Sequence, residues 1–199
     1  MLHIGIDPGT KGALVALDLD LGTMAAYNLP ILVEEHATTV KNVVHAVEFD
    51  NILDELRVGE VPCEVHFEDV FSMASDGHVG AFTFGQNKGA LTALIRRRNV
   101  PLHFISPSRW KQEMGCTSDK WQTRRVAQAL FPDAHTEMTN EGKHEAALIA
   151  LWGLLSRTAG EGAGNMRFKP AAPSPARSRR KRKGTSASRK PVRSRSRQK

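Results

Sequence analysis

The sequence changes character at Gly160, and that break confines any folded body to about the first 159 residues. Residues 1–165 hold 14 Lys+Arg against 21 Asp+Glu, whereas residues 166–199 hold the other 14 Lys+Arg and no acid. The overall charge of +7 therefore joins an acidic 1–165 segment of net −7 to a basic 166–199 segment of net +14. From Gly160 onward the chain is dominated by Gly, Pro, Ala, Ser, Arg and Lys. Such a composition has too little apolar surface to offset the entropy of ordering, so residues 160–199 are expected to be a disordered basic tail. A tail of this density suits a polyanion, because each neutralised phosphate releases condensed counterions. Arg180, Lys181, Arg182 and Lys183 lie in its most basic run and are its candidate nucleic-acid contacts. A solubilising or localisation signal is the plain alternative.

The remaining 1–159 segment suits one domain, and the apolar fraction of 40% over the whole sequence is enough for one core. No stretch approaches the roughly 18 consecutive apolar residues of a membrane span. The opening Met-Leu-His-Ile-Gly-Ile-Asp7 reaches an acid at once and lacks the charged start of a secretory leader. Cys63 and Cys116 are far apart with no CxxC partner, which argues against a disulfide framework or a zinc site built on them. The isolated thiols fit a reducing compartment, which leads us to expect a cytoplasmic protein.

Leu2 to Asp7 reads as a strand running into a Pro8-Gly9 turn, followed by strand-like runs at Ala13–Leu19 and Thr23–Leu29. Apolar residues at helical spacing predict a helix over Thr38–Leu56. A fourth strand is expected at Glu64–Val70 and a helix over Gly80–Arg98, in which Gly85 and Gly89 suggest close approach of another backbone. Arg96-Arg97-Arg98 closes that helix, where cations are favoured. Leu102–Ile105 is a short fifth strand. A helix then opens at Ser106-Pro107 with Ser108 as its cap, and two more span Ser118–Leu130 and Gly142–Ser156. Meandering strands followed by alternating strands and helices give an α/β chain with a mixed sheet.

Asp7 and Glu68 both fall near C-terminal strand ends, where an unpaired buried carboxylate is costly. If the two strands lie side by side, both acids reach one sheet edge. Glu141 and Glu145 lie four apart at the start of the last helix and share a face, with His144 between them. Converging carboxylates are what hard divalent cations need, and two such ions can clamp an in-line displacement at phosphorus. Each acid also has an ordinary reading: Asp7 as a turn former before Pro-Gly, Glu141 and Glu145 as acids favoured by the helix dipole.

The run Ile4-Gly5-Ile6-Asp7-Pro8-Gly9-Thr10 resembles the first-strand signature of the RuvC-type Holliday-junction resolvases, especially the short bacteriophage forms. Glu68-Asp69-Val70-Phe71 and Phe84-Gly85-Gln86-Asn87-Lys88-Gly89-Ala90 are similar to that family's second-acid block and following helix. Pro107, Trp110-Lys111, Asp119-Lys120, Phe131-Pro132 and Glu141-Gly142-Lys143-His144-Glu145-Ala146 continue the resemblance, which runs from about residue 2 to 158. It implies a ribonuclease-H-like fold with a mixed five-stranded sheet flanked by helices. It also implies a homodimer and a Mg2+-dependent endonuclease, with Mn2+ as a substitute and two ions per site, that cuts four-way DNA junctions symmetrically. By position, Asp7, Glu68 and Glu145 would be metal ligands. Glu141 would complete the set in the four-residue spacing of phage forms, with His144 as the alternative ligand or a water-activating group. Lys111 and Lys120 would sit near the scissile phosphate. Phe71 would stack on a base near the junction centre, unless it is simply a core residue after a strand, and Lys88 would join the DNA contacts.

An actin-like or sugar-kinase ATPase shares a Gly-Ile-Asp-x-Gly-Thr strand, but needs two related subdomains and adenosine contacts that 160 residues scarcely hold. No nucleotide cofactor is therefore expected. A broader branched-DNA nuclease, a YqgF-like RNA-processing nuclease and a catalytically silent nucleic-acid-binding protein remain as alternatives.

Overall fold

A computed structural model describes residues 1–18, 20–35, 40–72, 77–134, 136–158 and 169–170. Strands β1 (Leu2–Asp7), β2 (Ala13–Asp18) and β3 (Thr23–Asn28) form an antiparallel meander, with Asp7 opposite Ala13 and Ala13 opposite Asn28. On the other side of β1, β6 (Cys63–Glu68) runs parallel to it, and β7 (Leu102–Ile105) runs parallel to β6. These five strands are the mixed sheet that the sequence leads one to expect, in the order β7-β6-β1-β2-β3. Of the 160–199 tail, only β8 (Lys169–Pro170) is described; it extends the sheet by pairing with Thr23 and Met24. The remaining tail positions, Arg180, Lys181, Arg182 and Lys183 included, lie outside the described residues, as does Leu19.

The expected helix over Thr38–Leu56 is corrected by the structure. Its first part is a strand, β5 (Val40–Val44), paired in a separate hairpin with β4 (Ile31–Glu35), and only α1 (Ala46–Glu55) is helical. Val40, Val43 and Val44 are β-branched and favour a pleated surface. The side chain of Asn87 makes the hairpin preferable by accepting from Val44 N at 2.9 Å and donating to Asn42 O at 2.9 Å. The helix then starts at His45, whose ring accepts the Glu48 N–H.

Helices α2 (Gly77–Arg97), α3 (Pro107–Glu113), α4 (Lys120–Leu130) and α5 (Glu141–Thr158) complete the described fold. Ser106, not Ser108, occupies the α3 cap position, with Pro107 in the first turn; Asp119 caps α4 by accepting from Trp121 N. Among the described residues, no helix is long and apolar enough to cross a membrane.

Two cores lie on the two faces of the sheet. Leu2, Ile4, Ile6, Val65 and Phe67 pack with Phe49 and Leu53 of α1 and Leu91 and Ile95 of α2. Val15, Leu17, Met24 and Ile105 pack with Trp110, Phe131 and the buried length of α5. Arg97 and Arg98 tie α2 to α1 through Asp50 and Asp54.

The sequence points to Gly85 and Gly89 as close-approach positions, and this too is corrected. Both are exposed, and a Cβ at either would meet open space. The close approaches are at Gly5, where a Cβ would collide with Ala146 O and Ala150 N of α5, and at Gly142, where it would collide with the Lys11 and Gly12 backbone. Gly5→Ala should therefore push α5 off the sheet and destabilise the fold by several kcal/mol, in the range of severe overpacking. Gly89→Ala on the open face of α2 should instead be neutral or stabilise by about 0.5–1 kcal/mol. Chemical denaturation of the two variants beside the parent distinguishes these outcomes.

Candidate active site

Parallel pairing of β1 with β6 sets their C-terminal ends at the same sheet edge. Asp7 is the last residue of β1 and Glu68 the last of β6, and Ile6 pairs with Phe67, so the two acids are neighbours. Glu145 descends onto them from the second turn of α5. Ligand oxygens of Asp7, Glu68 and Glu145 all lie within 4.8 Å of one another. The turn-forming role of Asp7 holds as well: its carboxylate accepts the Gly9 N–H at 3.0 Å, which leaves an oxygen for the cluster.

Few compensating charges reach this cluster. Burial pushes Asp7 up to about 6, with the Glu145 carboxylate adding to the rise and the Gly9 N–H opposing it. Burial likewise pushes Glu68 up to about 7, reinforced by Asp7 and Glu145 and opposed by a hydrogen bond from the Trp110 indole. That bond, Nε1–H to Oε1 at 2.8 Å, is buried. Lys111 follows on the same helix and pairs with Glu145 at 3.0 Å.

The other expected site residues surround this centre rather than join it. Glu141 is exposed on the rim of the same cleft, paired with Lys120 at 2.6 Å, which holds its carboxyl below the usual range. His144 is buried and lines a neighbouring cleft with Lys11, Lys120, Trp121 and Arg124. Phe71 is not a core residue: it is 75% exposed, and Lys88 Nζ lies 4.6 Å from its ring centroid while bonding Asp69 and Val70. Trp110 was given no role by sequence reasoning, although a buried indole N–H needs an acceptor and a buried Glu needs a donor. Lys11, Trp121 and Arg124 were also missed; nothing in their local sequence sets them apart from surface residues.

The donor set fits a hard divalent cation. All three converging side chains offer carboxylate oxygens, with no soft ligand among them. Burial, reinforced by the neighbouring acids, raises Asp7 and Glu68, and a divalent cation would offset that rise.

No family model matches the sequence, and no curated protein does. The fold is RuvC-like: it matches the structure of Thermus thermophilus RuvC in complex with a Holliday junction substrate, with a TM-score of 0.55 and 17% identity over 80% of this chain and 97% of that one. A second Thermus thermophilus RuvC structure matches over the same shares with a TM-score of 0.48 and 16% identity.

The crowded acids make a stability prediction. A carboxyl whose folded pKa is raised contributes stability below its unfolded pKa and loses it as pH rises through the folded value. Without divalent cations, the protein should therefore lose on the order of a few kcal/mol between about pH 4 and about pH 7 through Asp7 and Glu68. The double variant Asp7→Asn, Glu68→Gln should lack that loss, equalling the parent near pH 4 and exceeding it at pH 8. Urea melts across this range, with chelator present, read the difference; parallel profiles would contradict the crowding.

Proposed function

We propose that this chain is a metal-dependent endonuclease for branched DNA that resolves four-way junctions by two-metal-ion hydrolysis with paired, symmetric nicks. The observation that carries the reading is the convergence of Asp7, Glu68 and Glu145 at the strand-end edge of a RuvC-like sheet. A solved structure with this fold holds a Holliday junction substrate, which makes a junction the first substrate to test here.

In this reading Asp7, Glu68 and Glu145 hold the divalent cations, Mg2+ or Mn2+. When bound, these ions would supply a nucleophile at neutral pH and Lewis-acid stabilisation of the negative charge that builds on the phosphoryl and leaving oxygens. The chain's own groups position and neutralise. Trp110 fixes the Glu68 carboxylate through its indole N–H, and Lys111 holds Glu145 while adding positive charge beside the reacting centre. Lys120 is exposed at the cleft mouth, where an incoming phosphate competes with Glu141 for its ammonium. An exposed ion pair of this kind is cheap to exchange. The exchange frees Glu141 to act as a further carboxylate ligand. His144, beside the cleft, serves as the alternative ligand or water-orienting group.

Phe71 supplies an exposed aromatic face close to Lys88, suited to stacking on an unpaired base, which is worth about 1–3 kcal/mol. Two matched cuts on a four-way junction call for a two-fold dimer. The basic tail then acts as an electrostatic tether for DNA.

Cleavage of a labelled four-way junction, beside fork, flap and linear duplexes, with Mg2+, Mn2+ or chelator, tests the reading. Paired nicks confined to the junction are expected; cutting of forks and flaps as well would broaden the substrate, and binding without cutting in either metal would overturn the enzyme. Asp7→Asn, Glu68→Gln and Glu145→Gln should each slow cutting on the order of a thousandfold, while junction binding survives. Truncation at Gly160 should leave the rate of the bound complex intact but weaken binding and flatten its dependence on salt. An unchanged salt slope would remove the tether.

A further inference from the structure

The face of the sheet that α5 covers carries a second group of ionisable side chains behind the carboxylate cluster. His3 of β1 pairs in register with Glu64 of β6, and Gly5 pairs with His66. His3, Glu64 and His66 are 2%, 7% and 2% exposed, and their ligand atoms lie within 4.8 Å of one another. Beside them on β7, His103 is in register with His66.

We propose that His3, Glu64 and His66 form a metal site for a Zn2+-class ion, separate from the carboxylate cluster, which clamps β1 to β6. Three features support it. His3 Nδ1 and His66 Nε2 are 3.4 Å apart. That is long for a hydrogen bond, yet two ligands at about 2.0–2.1 Å from a tetrahedral zinc ion are about 3.3–3.4 Å apart. The donor set of two imidazoles and one carboxylate suits zinc and its first-row neighbours, whereas an all-carboxylate set suits magnesium. The rings are also fixed in advance. The His66 ring fills the space where a Cβ on Gly153 would sit, with the Trp152 ring set edge-on to it. The His3 ring meets His66 edge to edge and nearly coplanar, at 5.7 Å between centroids, and the His103 ring lies nearly parallel to His66 at 5.3 Å.

His103 gives the site a link to solvent. Its side chain is 38% exposed, and its Nε2 lies 3.5 Å from Glu64 Oε2. His66 and Glu68, the nearest members of the two sites on β6, are two residues apart, about 6.6 Å at strand rise, so the sites are neighbours that share no ligand. Occupation of one site therefore leaves the other free, and ion chemistry separates them.

The test uses the full chain carrying Asp7→Asn, Glu68→Gln and Glu145→Gln, which removes ligands from the carboxylate cluster, in excess Mg2+. One equivalent of Zn2+ or Co2+ should bind. Zn2+ should raise the melting temperature, and Co2+ should give the visible ligand-field absorption of a low-coordinate nitrogen and oxygen site. Zn2+ should also shift the imidazole NMR resonances of His3 and His66, a readout that needs no change in the buried residues. His3→Gln and Glu64→Gln should each weaken binding at least about tenfold, while His78→Gln leaves it unchanged. Absence of the Co2+ absorption, or a Zn2+ affinity indifferent to His3→Gln and Glu64→Gln, would overturn the site.

Discussion

The depth at which α5 seats on β1 decides whether this fold has a site at all. Gly5 contributes no side chain beneath the helix, and Ala146 and Ala150 are the residues that close on it. Gly142 makes a second contact at the start of the helix, against the backbone of Lys11 and Gly12 in the turn after β1. Glu145 lies between these two contact points in sequence. Its carboxylate is thereby delivered to Asp7, which follows Gly5 on the same face of the strand. A helix held even one methyl group further out would carry Glu145 away from the two strand-end acids.

Bringing three carboxylates together opposes folding, and α3 is the element that limits the cost. Trp110 and Lys111 are adjacent in sequence, but the indole donates to Glu68 and the ammonium pairs with Glu145. One short helix thus steadies two of the three acids, one with a neutral donor and one with a charge. Asp7 has the Gly9 N–H from its own turn. Burial outweighs these contacts, so Asp7 and Glu68 remain elevated. Local destabilisation of this kind is expected where residues are arranged for chemistry rather than for the stability of the fold.

The five strands of the main sheet and the acids that end two of them were legible in the sequence because period and turn chemistry agree there: apolar runs stop at Asp7-Pro8-Gly9 and near Glu68. The 38–56 region was misread because valines at 40, 43, 44 and 47 satisfy a helical spacing and a strand preference equally. Asn87, more than 40 residues away, favours the strand, and no local pattern carries that information. The glycines show the same limit. Spacing drew attention to Gly85 and Gly89 on an open face, whereas Gly5 sits inside an ordinary strand and Gly142 beside a helix start. Trp110 belongs to the same class, since its acceptor is 42 residues away in the sequence.

The two faces of the central strands have been given different tasks. Toward α1 and α2, β1 and β6 present Leu2, Ile4, Ile6, Cys63, Val65 and Phe67, all apolar and all buried. Toward α5 the same strands present His3, Gly5 and Asp7 beside Glu64, His66 and Glu68. Because both faces are covered, burial hardly alternates along either strand, and only the chemistry of the residues reveals the division. A polar row under a helix is costly unless its members bond one another or share a counter-charge. The apolar face can carry that cost, since it supplies a continuous core of its own. Apolar packing around that row, from α1 and α2 on one face and from β2, β3 and α5 on the other, is therefore what permits ionisable groups to be concentrated there.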